Sequence, residues 1–194
     1  TSRADKIKKL HDVVGATVMV YDYRGYGRSE GSPSEQGIYK DARAARDFLA
    51  KEAAVQPEEV VQMGRSIGGG VAVELASTGG ARALVVESTF TSLPDVAARE
   101  FPWLPVRWLM SNRYDNLKKI GNYPGPVFQS HGNADKLVPY AMGEKLHAAI
   151  PGEKHFFTVE GGDHNDPQPE AYYIELRDFL LKTRSDSGDE DGDK

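Results

Sequence analysis

The feature of this sequence that most restricts its fold is the alternation of short apolar runs with segments of helical periodicity. Apolar runs rich in β-branched or aromatic residues predict strands at residues 17–23, 60–63, 81–88, 126–132 and 154–161. Helical spacing recurs at residues 3–14, 34–54 (with Ser34 as the N-cap), 71–77, 140–150 and 169–182. Such alternation predicts an α/β fold with a mostly parallel sheet flanked by helices, and with its chemistry in the loops at the strand ends.

Residues 89–124 interrupt this alternation. Prolines separate short amphipathic pieces that contain Phe101, Trp103, Trp108 and Leu109, which predicts a helical flap or a long connection. The aromatic side chains fit either simple packing or a cover over an acyl pocket. We expect one domain over residues 1–184 and a disordered acidic tail at residues 185–194.

Charge and composition narrow the possible partners. The net charge is −5, and the tail, with five acids and Lys194, accounts for −4, which leaves about −1 for the rest. A near-neutral body predicts no nucleic-acid partner. The absence of cysteine excludes disulfides and thiolate metal sites. No apolar run approaches the ~18 residues of a membrane span, so we expect no membrane segment in this chain; its cellular location stays open.

The segment VVQMGRSIGGGVAVELAS, residues 60–77, places four glycines around Ser66. A phosphate-binding Walker loop needs Lys and then Ser or Thr after Gly69, but Gly70 and Val71 follow. A dinucleotide fingerprint needs GxGxxG, which no frame here supplies. The pattern GxSxG, formed by Gly64, Ser66 and Gly68, is that of a nucleophile elbow.

An elbow has a mechanical need for these glycines. The serine adopts a strained backbone conformation, and we expect side chains two residues before or after it to collide where strand and helix cross. The turn also leaves the backbone amide of Ile67, at a helix start, free to bind an oxyanion. Taken alone, GxSxG fits a structural glycine turn equally well. Arg65 is interpreted as a solvent or edge side chain without a role.

A serine nucleophile requires a histidine base and an acid that orients it. His164, in the loop EGGDHNDP after the last predicted strand, is the best candidate base. The remaining histidines, which are better explained by packing, solvation or a structural role, are His11, His131, His147 and His155. Asp135 is the acid of the loop QSHGNADKLVP. The other acids considered are Asp163 and Asp166, which lie too close to His164 in sequence, and Asp22, which precedes the serine.

The segments VYDYRGYGRSEGSPSE, GRSIGGGVA, HGNADKLVP and GGDHND together resemble the α/β-hydrolase superfamily, in particular the compact serine hydrolases that include protein depalmitoylases and related esterases. The resemblance runs from about residue 5 to residue 182. It implies Ser66 as nucleophile, Asp135 as acid, His164 as base and the Ile67 amide as one oxyanion donor. It also implies further strands, and an HG loop with the second oxyanion donor, before the helix at residues 3–14.

These upstream elements are not in the sequence, and we expect them to precede Thr1 in a longer protein. The alternative is that this chain closes its sheet by a rearranged strand pairing or with another chain. The resemblance places one missing strand between residues 17–23 and 60–63, and its absence would leave a gap within the sheet. Loss of an oxyanion donor costs about 10²- to 10³-fold in turnover, so we expect this chain alone to be a poor enzyme.

The resulting hypothesis is a serine hydrolase that cleaves a carboxylic ester or thioester of a small-molecule or acyl substrate. A peptidase or amidase with the same triad, and a non-catalytic binding protein on a hydrolase scaffold, stay open as alternatives. No histidine and acid cluster has ligand spacing, so no metal or cofactor is implied. The sequence does not determine the oligomeric state.

Overall fold

The computed structural model describes residues 3–185, with side chains as far as Thr183. The predicted tail beyond Ser185 lies outside the described residues. The elements are, in chain order, α1 (Arg3–Asp12), α2 (Glu35–Ala53), a 3₁₀ turn (Pro57–Glu59), β1 (Gln62–Arg65), α3 (Ile67–Gly79), β2 (Leu84–Glu87), α4 (Leu93–Glu100), α5 (Val106–Leu109), α6 (Asn116–Ile120), β3 (Val127–Gly132), α7 (Tyr140–Ala148), β4 (Lys154–Val159) and α8 (Glu170–Ser185). Within the described residues they form two compact units, residues 21–164 and residues 3–20 with 165–185.

The unit of residues 21–164 contains a sheet with the strand order β1-β2-β3-β4 and parallel pairing throughout. Each crossover carries helix, as a parallel sheet requires. The strands begin and end within three residues of the predicted bounds, and β1 lies two residues later than expected. The prediction of an α/β fold with a parallel sheet flanked by helices is confirmed.

The predicted buried strand at residues 17–23 is wrong. These residues are assigned to no strand, and two of the apolar ones are exposed, Val20 by 56% and Tyr21 by 38%. A high strand propensity makes a segment extended, but a strand forms only where a neighbour pairs with its backbone N–H and C=O groups. Among the described residues, β1 pairs with β2 alone and no strand pairs with residues 17–23.

Two apolar clusters form the core of the unit. One centres on Val73, Leu84 and Leu146, and the other on Tyr39, Phe90 and Tyr114. Helix α2 begins as predicted at Ser34, whose hydroxyl accepts the Gly37 N–H at 3.2 Å. Capping by a serine hydroxyl stabilises a helix by about 1 kcal/mol, which fixes where α2 starts.

An ion-pair network at the edge of the second cluster joins α2, α3 and α6. The Lys119 ammonium lies 2.9 Å from Glu74 Oε2, donates to the Tyr39 hydroxyl at 2.8 Å and lies 3.5 Å from Glu35. The Tyr39 hydroxyl in turn donates to Glu35 at 2.7 Å. Because these side chains are largely removed from water, their mutual hydrogen bonds compensate for lost hydration.

The segment 89–124 forms the short helices α4, α5 and α6. Whether it serves as a flap or as a long connection stays a prediction. Val96 and Val106 are buried, which fits the packing interpretation. Trp103 and Trp108 are 77% and 91% exposed, so packing does not explain these two aromatic residues.

In the other unit, α1 and α8 are amphipathic. Their buried side chains include Leu10, Tyr172 and Leu176. The Lys9 ammonium lies 5.1 Å from the ring centroid of Tyr173, a cation–π distance. Helix α1 ends at Asp12, two residues before the predicted end. The prediction that residues 1–184 form one domain stays a prediction.

Candidate active site

Ser66 forms the turn between β1 and α3. Its backbone has φ 54° and ψ −120°, a conformation that L-residues rarely adopt. Two backbone hydrogen bonds hold it: its N–H donates to the Glu87 carbonyl at 2.9 Å, and its own carbonyl accepts the Gly70 N–H at 3.3 Å. The serine is half-buried at the carboxyl edge of the sheet. The surrounding structure therefore fixes an unfavourable backbone angle at this residue.

The glycines beside Ser66 do not share one role. A Cβ at Gly64 would lie 2.0 Å from the Gly68 carbonyl oxygen, so strand and helix touch there as expected. A Cβ at Gly68 would meet only the Tyr23 hydroxyl, at 3.5 Å, which is ordinary contact. The expected collision after the serine is therefore wrong at Gly68. It occurs one residue later, since a Cβ at Gly69 would lie 1.9 Å from Thr89 Oγ1.

Asp135 lies in the loop after β3 and is 7% exposed. Its Oδ1 accepts the N–H groups of Leu137 and Val138, at 2.9 and 2.8 Å, in a tight Asx-type turn. Its Oδ2 lies 2.8 Å from His164 Nδ1. The loop backbone thus fixes one oxygen of the carboxylate and directs the other at the imidazole.

His164 lies in the loop after β4 and is 6% exposed. Because an ionised carboxylate only accepts, the bond to Asp135 requires the proton on Nδ1 and leaves Nε2 as the basic nitrogen. The structure therefore brings together two of the three predicted triad residues. Ser66, the third, follows directly on Arg65, whose guanidinium donates to the His164 carbonyl oxygen.

Hydrogen bonds of Asn133 and Asp163 join the loop that carries Asp135 to the loop that carries His164. Asn133 donates its side-chain amide to Glu160 at 2.6 Å and accepts the Gly161 N–H at 2.7 Å. Asp163 Oδ1 accepts the N–H groups of Lys136, at 3.0 Å, and of His164, at 2.7 Å. These backbone hydrogen bonds hold the pKa of Asp163 below its usual value. Sequence spacing excluded Asp163 as the triad acid, but gave no sign that it connects the two loops.

His131 is a second histidine that lies against the Asp135 carboxylate. It is fully buried, and its Nε2 lies 2.9 Å from the Val138 carbonyl and 3.3 Å from Asp135 Oδ2. Because a carbonyl only accepts, Nε2 carries the proton. Burial is the main cause that lowers the pKa of His131, so the ring is neutral near pH 7. This arrangement agrees with the predicted structural role in the acid turn.

Ile67 is the first residue of α3 and is 42% exposed. The N–H groups of a helix's first turn have no intrahelical acceptor and carry the positive end of the helix dipole. The Ile67 amide is therefore of the kind that binds a developing negative charge next to Ser66.

Two further histidines, His147 and His155, lie in packing contacts. The His155 ring stacks on Phe128 with centroids 4.8 Å apart, and His147 packs on Phe156 at 5.1 Å. In the part of the chain that the structure describes, no group of three His, Asp or Glu side chains could hold a metal ion. None of the helices within residues 3–185 has both the length and the hydropathy of a membrane-spanning segment.

Comparison with protein families gives a match that contains the first two strands of the sheet, β1 and β2. The family model described as serine aminopeptidase, S33, matches residues 7–123, a range that includes Ser66 but ends before Asp135 and His164.

Comparison with individual proteins gives relatives that are longer than this chain. It is 42% identical over 184 residues to an uncharacterized protein of Mycobacterium tuberculosis, covering 93% of this chain and 65% of that protein. It is 34% identical over 178 residues to the uncharacterized protein YfhR of Salmonella typhimurium, covering 85% and 60% respectively. The chain thus spans less than two thirds of the length of these relatives.

Solved structures show the same fold. An esterase of Pyrococcus furiosus matches with a TM-score of 0.71 at 19% identity, covering 93% of this chain and 75% of that one. A monoacylglycerol lipase of Paleococcus ferrophilus matches with a TM-score of 0.67 at 19% identity, covering 93% and 90%. A puromycin-hydrolyzing peptidase of Mycobacterium tuberculosis matches with a TM-score of 0.59 at 18% identity, covering 75% and 25%. At these identities the likeness concerns the fold, which is that of the α/β-hydrolases.

Proposed function

Because the chain belongs to the serine aminopeptidase (S33) family of α/β-hydrolases, we propose that it is a serine hydrolase that cleaves a carboxylic ester or thioester through an acyl-enzyme. The observation that carries the proposal is the 2.8 Å contact between His164 Nδ1 and Asp135 Oδ2, in a loop that Arg65 ties to the turn of Ser66. A buried acid that orients an imidazole beside a strained serine turn is the arrangement of a catalytic triad.

In this mechanism the Ser66 hydroxyl attacks the carbonyl carbon while His164 Nε2 takes its proton. Asp135 holds the Nδ1–H of the ring and stabilises the imidazolium that forms. The carbonyl oxygen becomes an oxyanion, which the Ile67 amide stabilises. When the tetrahedral intermediate collapses, His164 protonates the departing alcohol or thiol and the acyl group stays on Ser66. A water molecule, deprotonated by His164, then releases the acid.

Two features favour an acyl substrate. The segment that follows β2 exposes the large apolar side chains Phe101, Trp103, Trp108 and Leu109, by 49%, 77%, 91% and 66%. Monomeric proteins seldom expose such groups together without a binding role. The segment begins a few residues after the carboxyl end of β2, the strand next to β1. In parallel α/β sheets ligands bind at that edge, so an acyl chain could lie along these residues.

A peptidase or amidase is the second candidate, and the description of the matching family favours it. The same residues would perform the same steps with an amine as leaving group. The difference is chemical: an amine is the poorer leaving group, so amide cleavage depends more strongly on protonation by His164.

The two candidates are separated by a matched substrate series. We would measure turnover of p-nitrophenyl acyl esters, acyl thioesters and the corresponding p-nitroanilides by the chain, by Ser66→Ala and by the control Ser77→Ala, a serine within α3. We expect hydrolysis of esters and thioesters to exceed that of anilides, to disappear in Ser66→Ala and to persist in Ser77→Ala. Faster anilide cleavage would favour the peptidase, and turnover unaffected by Ser66→Ala would contradict both.

A further inference from the structure

Arg65 is the residue of the site to which sequence reasoning gave no role. It ends β1, directly before Ser66, and its guanidinium Nη2 donates to the backbone carbonyl of His164, 99 residues later in the chain. The bond therefore joins the strand that carries the serine to the loop that carries the base.

Other contacts of the loop that carries His164 join it to the loop that carries Asp135. Asp163 joins His164 to Lys136, and Asn133 joins the acid loop to Glu160 and Gly161, so these contacts fix the base relative to the acid. None of them involves β1 or the turn at Ser66. The Arg65 bond, by contrast, joins His164 to the strand that ends at the serine.

Arg65 is itself held in the sheet. In the parallel register it pairs with Glu87 of β2, and paired residues of neighbouring parallel strands have side chains on the same face. The planar guanidinium carries five N–H donors, of which one on Nη2 donates to the His164 carbonyl. A lysine ammonium has neither the planar geometry nor the reach of the arginine guanidinium.

We propose that Arg65 is a positioning residue that sets the distance between the His164 imidazole and the Ser66 hydroxyl through the His164 backbone. This inference rests on the proposed function of the site. Displacement of a catalytic group by about 1 Å costs on the order of 100-fold in rate. Loss of the bond should therefore lower kcat while leaving KM nearly unchanged, because Arg65 acts on the base and does not contact substrate.

The test uses Arg65→Ala, Arg65→Lys and, as a control for removal of an arginine, Arg177→Ala, since Arg177 is exposed on α8 and pairs with Asp178. We would measure kcat and KM for a p-nitrophenyl ester, with and without millimolar guanidinium chloride, and the unfolding temperature of each variant. We expect kcat to fall about 10- to 100-fold in both Arg65 variants. Added guanidinium should restore part of the activity of Arg65→Ala but not of Arg65→Lys, where the ammonium occupies the space.

Different results would overturn the positioning role of Arg65 and the proposed function. An unchanged kcat in folded Arg65→Ala, a change in KM alone, or a lower unfolding temperature without rescue by guanidinium would overturn the positioning role. Failure of both Arg65 variants to fold would also overturn it, since the residue would then serve stability. If the unmodified chain shows no turnover that depends on Ser66, the proposed function itself fails, which is a different result from normal turnover in the Arg65 variants.

Discussion

Asp135 Oδ2 lies 2.8 Å from Nδ1 of His164, while the other oxygen of the same carboxylate accepts two backbone N–H groups of its own loop. The carboxylate therefore cannot rotate without breaking three hydrogen bonds. It fixes both the orientation of the imidazole and the nitrogen that carries the proton.

This contact predicts the effect of Asp135→Asn. The asparagine oxygen can still accept the Leu137 and Val138 N–H groups, so the loop should keep its conformation. The side-chain amide would face Nδ1 and favour the tautomer with the proton on Nε2, which cannot accept the serine proton. We expect kcat for ester hydrolysis to fall about 10³- to 10⁴-fold with little change in KM. Steady-state kinetics and a circular dichroism spectrum would check this, and a fall of less than tenfold would contradict the assigned role of Asp135.

The crossing of β1 and α3 predicts opposite effects for two neighbouring glycines. A methyl group at Gly64 would lie 2.0 Å from a backbone oxygen, so Gly64→Ala should lower the free energy of unfolding by about 3 kcal/mol or more. Gly68 lies in α3, where a Cβ would meet only the Tyr23 hydroxyl at an ordinary contact distance of 3.5 Å, and alanine favours a helix over glycine by up to about 1 kcal/mol. Urea unfolding should therefore find Gly68→Ala at least as stable as the unmodified chain. Equal destabilisation by the two substitutions would show that β1 and α3 do not approach each other closely at Gly64.

Buried His131 predicts a pH dependence of stability. Its pKa is lowered in the folded state, chiefly by burial, so below the unfolded-state pKa of about 6.5 the unfolded chain binds a proton that the folded chain does not. The stabilisation is complete above about pH 6.5 and is lost as the pH falls through the lowered folded-state pKa. In His131→Gln the decrease in unfolding temperature from pH 7.5 to 5 should be smaller.

The control for this measurement is His147→Gln, because burial also lowers the pKa of His147 and contributes in the same direction. Each variant should remove part of the decrease, and the larger part should belong to His131, which is fully buried whereas His147 is half-buried. A decrease in His131→Gln as large as in the unmodified chain would refute the assignment.

The sequence was sufficient to predict those features of the structure that depend on residues close together in the chain. The Ser34 cap, the parallel strands β2 to β4 and the loops that carry Asp135 and His164 all follow from periodicity and turn residues. It failed at residues 17–23, because an apolar run predicts an extended chain but does not supply a neighbouring strand. It also failed to predict the Arg65 and Asp163 contacts, since each joins segments far apart in the chain through groups that any surface arginine or aspartate carries.

Between β2 and β3, substitution of an exposed apolar side chain should change substrate preference, whereas substitution of a buried one should change stability. Trp108 is 91% exposed, so Trp108→Ala should leave the free energy of unfolding unchanged, whereas Val106→Ala, at a buried position, should lower it by about 1 to 3 kcal/mol. If Trp108 contacts an acyl chain, its loss should raise KM for long-chain esters more than for acetate esters. Equal KM changes for both chain lengths would argue against an acyl-binding role.

Whether Ser66 is a nucleophile is tested most directly by labelling with a fluorophosphonate probe, followed by identification of the modified residue by mass spectrometry. It would be made on the 194-residue chain and on a chain of the length of the curated relatives, each with Ser66→Ala and with the control Ser77→Ala. We expect modification at Ser66, its loss in Ser66→Ala and its persistence in Ser77→Ala. Labelling that persists in Ser66→Ala would contradict this expectation by placing the reactive group at another residue, and an absence of labelling in both chain lengths would contradict it and favour a non-catalytic binding role.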